Sequence, residues 1–158
     1  MIGLLASYVI AVSFSEKNQQ NEIEKKDIEK RIKQILPSDS PNRLTKFQYE
    51  HEMELIESTQ NFQGEDEKGK SILELLQQHL ESKYSKTVLI DPQTQMGWHA
   101  YGMDTRVRCC YDVYFTIQTS DETTRYLWGI EQISHKVFAI SPGRNNQAAI
   151  DIYYMTEN

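Results

Sequence analysis

Residues 106–140 read RVRCCYDVYFTIQTSDETTRYLWGIEQISHKVFAI. Val107, Cys109, Tyr111, Val113, Phe115 and Ile117 put an apolar side chain at every second position, the period of a strand with one face against a core. After the polar turn Ser120-Asp121-Glu122-Thr123, Tyr126, Trp128 and Ile130 resume the alternation. Beyond Ser134-His135, a hairpin tip expected in solvent, Val137-Phe138-Ala139-Ile140 adds a third segment. Together they predict an antiparallel meander.

Upstream, Ser71-Ile72-Leu73-Glu74 has the Ser-x-x-Glu form of a capping box, in which the serine hydroxyl and the glutamate satisfy each other's backbone N–H groups. From it Ile72, Leu75, Leu76, Leu80 and Tyr84 predict an amphipathic helix that covers one face of the sheet. His79 falls at the border of that stripe and reads as a core-edge histidine. Thr87–Asp91 (TVLID) reads as a short apolar strand. At the C-terminal end, Asn146 is suited to cap a helix through Ile152 and Tyr153, while Ile150, Ile152 and Tyr154 equally suit a last strand.

Between the helix and the meander lies Gly97-Trp98-His99-Ala100-Tyr101-Gly102-Met103-Asp104. Aromatics beside a histidine and an aspartate are a combination that can line a ligand pocket, so Trp98, His99, Tyr101 and Asp104 are candidate pocket residues. No nucleophile motif, phosphate loop or metal spacing accompanies them, so no catalytic residue, metal or cofactor is expected. Cys109 and Cys110 are the two cysteines and are adjacent; on a strand they point to opposite faces and do not bond to each other.

The chain begins with Met1–Phe14 (MIGLLASYVIAVSF), an uncharged run. As a helix, 14 residues reach only about 21 Å, short of a full bilayer core unless the polar continuation lengthens it. Gly3, Ser7 and Ala11 recur at spacing four, a stripe on which a membrane helix packs closely against another. We read the run as a single-pass anchor whose partners are membrane helices and lipid. The basic residues after it argue for a cytoplasmic domain, whereas an apolar N-terminus ahead of one polar domain argues for an exported one; the side stays open, tipped toward the extracytoplasmic. Ser15–Leu36 is helical by charge order, with Glu22 before Lys26, Asp27 before Arg31 and Glu29 before Lys33. Its seam of Ile28, Ile32 and Ile35 is too brief to specify a partner, so a solvated stalk is expected. Pro37 ends it. Leu44–Ile56 is open between a strand, by the alternation of Phe47, Tyr49, His51, Met53 and Leu55, and a helix, by the shared face of Leu44, Phe47, His51 and Leu55; the helix is favoured, and in either case Glu50, Glu52, Glu54 and Glu57 form a solvated acidic face.

At 158 residues with 39% hydrophobic and 25% charged side chains, the chain has the size of one domain plus an appendage. Its net charge of -6 gives no basic footprint for nucleic acid. The expected fold class is α+β: an N-terminal helical membrane anchor and stalk, then a sheet of three to five antiparallel strands under one main helix. The organisation is anchor and stalk over 1–36, acidic connector over 37–70 and α+β domain over 71–158. In layout alone, residues 65–155 are similar to helix-on-curved-sheet folds of the cystatin and nuclear-transport-factor types. The expected function is a membrane-tethered, non-catalytic accessory domain that is a subunit of a larger membrane-associated complex. The alternative is a ligand-binding domain or small enzyme using the Trp98, His99, Tyr101 and Asp104 cleft.

Overall fold

The computed structural model describes residues 18–36, 46–102, 110–140 and 146–156. Gly3, Ser7, Ala11, Asp104 and Cys109 lie outside the described residues. The elements run α1 (residues 18–32), α2 (Lys46–Asn61), α3 (Ile72–Lys83), α4 (Lys86–Ile90), β1 (Gln95–Gly102), β2 (Cys110–Gln118), β3 (Thr123–Glu131), β4 (Val137–Ala139) and α5 (Gln147–Met155). The strands form one antiparallel sheet in the order β1-β2-β3-β4. The α+β mix and the antiparallel meander are therefore as the alternation predicts.

Register follows from burial. Trp98 opposes Phe115, Val113 opposes Trp128, and Ile130 opposes Val137, so each buried side chain meets another across the strands on one inner face. At the centre, Trp98 stacks on Trp128 with centroids 5.5 Å apart and meets Phe115 edge-on at 5.5 Å. Both indoles are fully buried, and a buried indole N–H needs an acceptor. Trp98 Nε1 donates to the Ile32 carbonyl at 2.7 Å, and Trp128 Nε1 donates to the Ala149 carbonyl at 3.0 Å. The two rings thus bind the first and last described helices to the sheet.

The capping box at Ser71 forms as its sequence predicts: Ser71 N donates to Glu74 Oε2 at 2.8 Å and Glu74 N to Ser71 Oγ at 3.2 Å. A single covering helix is not what is observed. Ile28 and Ile32 of α1, Leu55 and Ile56 of α2, Ile72, Leu75, Leu76 and Leu80 of α3, and Ala149, Ile152 and Tyr153 of α5 all enter one core. The inner face is shared by four helices, because α3 alone has too narrow a stripe for four strands.

Three local expectations are corrected. The solvated stalk is a packed helix: Ile28 and Ile32 are buried, and α1 stops at 32 rather than reaching Leu36. From there Gln34–Leu36 runs parallel beside β1, with Leu36 N bonded to the Trp98 carbonyl and Trp98 N to the Gln34 carbonyl, each at 2.9 Å. The backbone groups on the free edge of β1 outcompete one more helical turn. Thr87–Asp91 is not a strand but lies within and at the end of α4, where Ser85 caps Val88 N and Leu89 is buried. The carbonyls left open at its end are taken by Arg31, which donates to Leu89, to Asp91 at 2.9 Å and to Thr94 at 2.5 Å. His135 is not simply in solvent at the hairpin tip, since its Nδ1 lies 3.1 Å from Ser58 Oγ on α2.

The C-terminal segment, open between helix and strand, is the helix α5, yet Asn146 does not cap it with its side chain. Where β4 ends, the Asn146 amide takes the place of a strand peptide: Oδ1 accepts from Leu127 N at 2.9 Å, and Nδ2 donates to the carbonyls of Leu127 at 3.0 Å and Ile140 at 3.3 Å. An amide side chain presents the same donor and acceptor pair as a peptide. Among the described residues, no helix is long and apolar enough to cross a membrane.

Two outcomes follow. Asn146→Ala lowers stability by about 2 to 3 kcal/mol, from partly buried polar groups left without partners, and Asn146→Asp does no better, because a carboxylate accepts from Leu127 N but repels both carbonyls. Urea unfolding checks this as a lowered midpoint at unchanged slope. His79 packs edge-on to Tyr126 at 5.5 Å; burial, then the nearby Lys83 charge, lowers its pKa, while Asp151 acts the other way. A histidine depressed in the folded state protonates first in the unfolded chain, so stability is lost as pH falls below about 6.5. The urea midpoint falls between pH 7 and 5, and His79→Gln reduces that slope.

Candidate functional site

Strand alternation that buries one face of the sheet must present the other. Because the four helices occupy the inner face, the outer face carries His99 and Tyr101 from β1, Asp112, Tyr114 and Thr116 from β2, Arg125 and Leu127 from β3, and Phe138 from β4. The register arranges them in rows. His99 lies beside Tyr114, which lies beside Leu127; Tyr101 lies beside Asp112, which lies beside Gly129; Thr116 lies beside Arg125.

The middle row is preorganised. The His99 ring stacks on Tyr114 at 4.9 Å with 18° between planes, and the Arg125 guanidinium sits 4.8 Å from the Tyr114 centroid. Imidazole stacking and a cation on an aromatic ring each contribute on the order of 0.5–1 kcal/mol at exposed sites, which restrains the rotamers before any partner arrives. Tyr101 stands at the rim with 62% of its surface exposed. In the next row Asp112 has a covered oxygen, Oδ1, that makes no hydrogen bond, and burial pushes its carboxyl up from the ordinary aspartate range. Phe138 lies over Gly129, where a Cβ would come within 2.2 Å of its ring. The glycine is required by that close approach, and the ring in turn shields the β3 backbone.

The structure divides the residues singled out in the sequence. Trp98 is fully buried in the core, whereas His99 and Tyr101 are on the opposite face of the same strand. Asp104 is outside the described residues, so Trp98, His99, Tyr101 and Asp104 are not seen to share a cleft. The residues that do join His99 and Tyr101 are Asp112, Tyr114 and Arg125, none of which stands out in a motif. The signal for them is the complement of the apolar alternation: the positions between Tyr111, Val113, Phe115 and Ile117.

Two other polar places serve packing. Ser58 and His135 meet in a cleft of about 540 Å³ bordered by Asn61, Gln63, Glu67 and Lys136. Gly64, Glu67 and His135, all with positive φ, lie along it. A serine bonded to a histidine is the start of a nucleophile pair, but among the described residues no carboxylate bonds His135, and the backbone N–H groups around Ser58 are spent within α2. The contact ties the β3–β4 turn to α2. Similarly, Glu122 accepts from Lys83 Nζ at 2.8 Å and from Tyr84 OH at 2.6 Å, fastening the β2–β3 turn to the end of α3. No group of three metal-type side chains occurs among the described residues.

The close fit of Phe138 on Gly129 is testable by a double-mutant cycle. Gly129→Ala costs about 1 to 3 kcal/mol by overpacking, and the same change made in a Phe138→Ala background costs little, a coupling read from urea unfolding of the four proteins. Comparison of the chain with family models, curated proteins and solved structures finds no match.

Proposed function

We propose that the chain is a non-catalytic interaction domain, tethered to a membrane through residues 1–14, that engages a protein partner on the outer face of its sheet. The observation that carries the reading is the Tyr114 ring held between neighbours His99 and Arg125 on a face that no described helix covers. Stacked aromatics, an arginine and a rim tyrosine are the composition of interface centres rather than of ordinary solvated surface. The tether rests on the uncharged run Met1–Phe14 and its Gly3, Ser7 and Ala11 stripe. A short apolar segment beside a soluble-sized domain suits an accessory subunit whose partners are confined to the same membrane.

The test uses the full chain expressed in its membrane. A photoreactive residue at Tyr101 yields a crosslinked protein band, while the same probe at Ile133, 97% exposed on the β3–β4 turn, yields none. Equal capture at both positions, or none at Tyr101, overturns the reading of the face. For the tether, the chain stays with membranes through an alkaline carbonate wash; release into the supernatant removes that part of the proposal.

A further inference from the structure

The pairing of β3 with β4 stops short. β4 covers Trp128 to Ile130, and one step on, where Ile140 would pair with Leu127, the Asn146 amide takes both Leu127 backbone groups. From there back to Thr123, β3 extends beyond β4. In an antiparallel ladder the backbone groups of successive residues point alternately to the two sides of the strand. The Leu127 N–H and C=O point away from β2, toward Asn146, so those of Thr123 and Arg125 point the same way. Glu122, out of phase with them, accepts from Thr119 N at 2.9 Å on the β2 side. Among the described residues nothing bonds the edge groups of Thr123 and Arg125. Both residues are exposed, and a cleft of about 590 Å³ runs beside Glu122, Thr123, Thr124 and Arg125.

Arg125 belongs to this edge and to the outer face at once. Its guanidinium is drawn toward β2, 4.8 Å from the Tyr114 centroid, so it does not lie across the edge as a blocking charge does. Among the described residues no carboxylate pairs with it, and the nearby Glu122 is held by Lys83 and Tyr84. Open donor and acceptor sets on alternate residues match an extended backbone and nothing smaller. The opposite edge of the sheet is filled in that way, where Gln34–Leu36 exchanges two backbone bonds with Trp98.

We infer that the protein partner of the outer face adds a strand to this edge, antiparallel to β3 in the lane that β4 leaves, with a carboxylate side chain beside Arg125. This rests on the reading of the outer face as an interaction surface, which the edge adjoins at Arg125. The added strand exchanges one pair of N–H···O bonds with Arg125 and another with Thr123, and Asn146 closes the slot at Leu127. Main-chain bonds of this kind give affinity, and alternate side chains give the choice of sequence. The specifying position is the residue directly opposite Arg125, whose side chain shares its face. The residue opposite Thr124 points to the inner side, where Lys83 Nζ donates to Thr124 Oγ1 at 3.1 Å.

The probe is a synthetic peptide, acetyl-Lys-Val-Glu-Val-Thr-Lys-amide, whose glutamate, second valine and threonine fall opposite Arg125, Thr124 and Thr123. Isotope-labelled full chain in mild detergent is titrated with it to ~1 mM, the weak range suited to so few bonds, and followed by amide NMR. The Thr123 and Arg125 amides shift, and at saturation they exchange with solvent at least about tenfold more slowly. Methylating the peptide nitrogens of the glutamate and threonine abolishes binding, whereas methylating that of the second valine, which faces away from β3, leaves it unchanged. Arg125→Glu weakens binding of this peptide by at least about tenfold and binds instead the peptide with lysine in place of glutamate. Thr123→Pro removes an edge N–H and none that bonds β2, and it weakens binding to the same degree; circular dichroism shows that each variant is folded. Edge amides that do not shift, two methylated peptides that bind alike, or a folded Arg125→Glu chain that does not change its preference, each overturns the inference, and the first two need no variant to fold. The two levels separate cleanly: a Tyr101 photoproduct without a shift of the edge amides overturns the added strand and keeps the outer face, whereas no photoproduct overturns the face on which the strand rests.

Discussion

The fold depends on two buried indole N–H groups. Each tryptophan brings 150–250 Å² of surface, on the order of 4 to 6 kcal/mol of gross transfer free energy, but only where its single donor has an acceptor. Trp98 takes the open carbonyl at the end of α1, and Trp128 takes one in α5. Because the rings also stack on each other, the two helices farthest apart in sequence are positioned by the same point in the sheet. The parallel run of Gln34–Leu36 beside β1 then follows, since Ile32 is already held over Trp98 and the next residues have only the β1 edge to pair with.

That arrangement makes the sheet one-sided. All four long helices crowd the inner face, and the outward residues make contacts along the sheet: His99 on Tyr114, Arg125 on Tyr114, Phe138 on Gly129. These lateral contacts hold the outer side chains in place without hiding them. The side of the sheet that contributes least to the core therefore has its side chains ordered by their neighbours on the sheet, which is the feature on which the proposed interaction rests.

Much of this was legible in residues 106–140, because period-two alternation with one apolar face leaves few alternatives to a meander. The Ser71 cap was equally legible, being a local hydrogen-bond pattern. What the sequence did not disclose was long-range. Thr87–Ile90 has the composition of a strand, and only the Ser85 cap and the Arg31 clamp from far upstream make it helical. Ile28 and Ile32 form too short a seam to announce a core, and their burial depends on Trp98. The aromatic cluster at Trp98–Tyr101 drew notice as a unit, but adjacent residues on a strand face opposite ways, so half of it belongs to the core. Arg125, Tyr114 and Asp112 carried no motif; their grouping exists only once the register is known.

The bond from Trp98 to Ile32 spans 66 residues, and this has a consequence for how the chain is made. At synthesis rates of about 5 to 20 residues per second, roughly 3 to 13 s separate the appearance of the acceptor from that of its donor. During that interval α1 exists without the sheet that covers Ile28 and Ile32, and it must stay helical and soluble by itself. The closely spaced acidic and basic residues from Glu22 to Lys33 supply that waiting state with its own local support, and of them Arg31 is later drawn into the fold by the carbonyls at the end of α4. The charge order of α1 thus supports the helix locally over the interval before Trp98 can reach the Ile32 carbonyl.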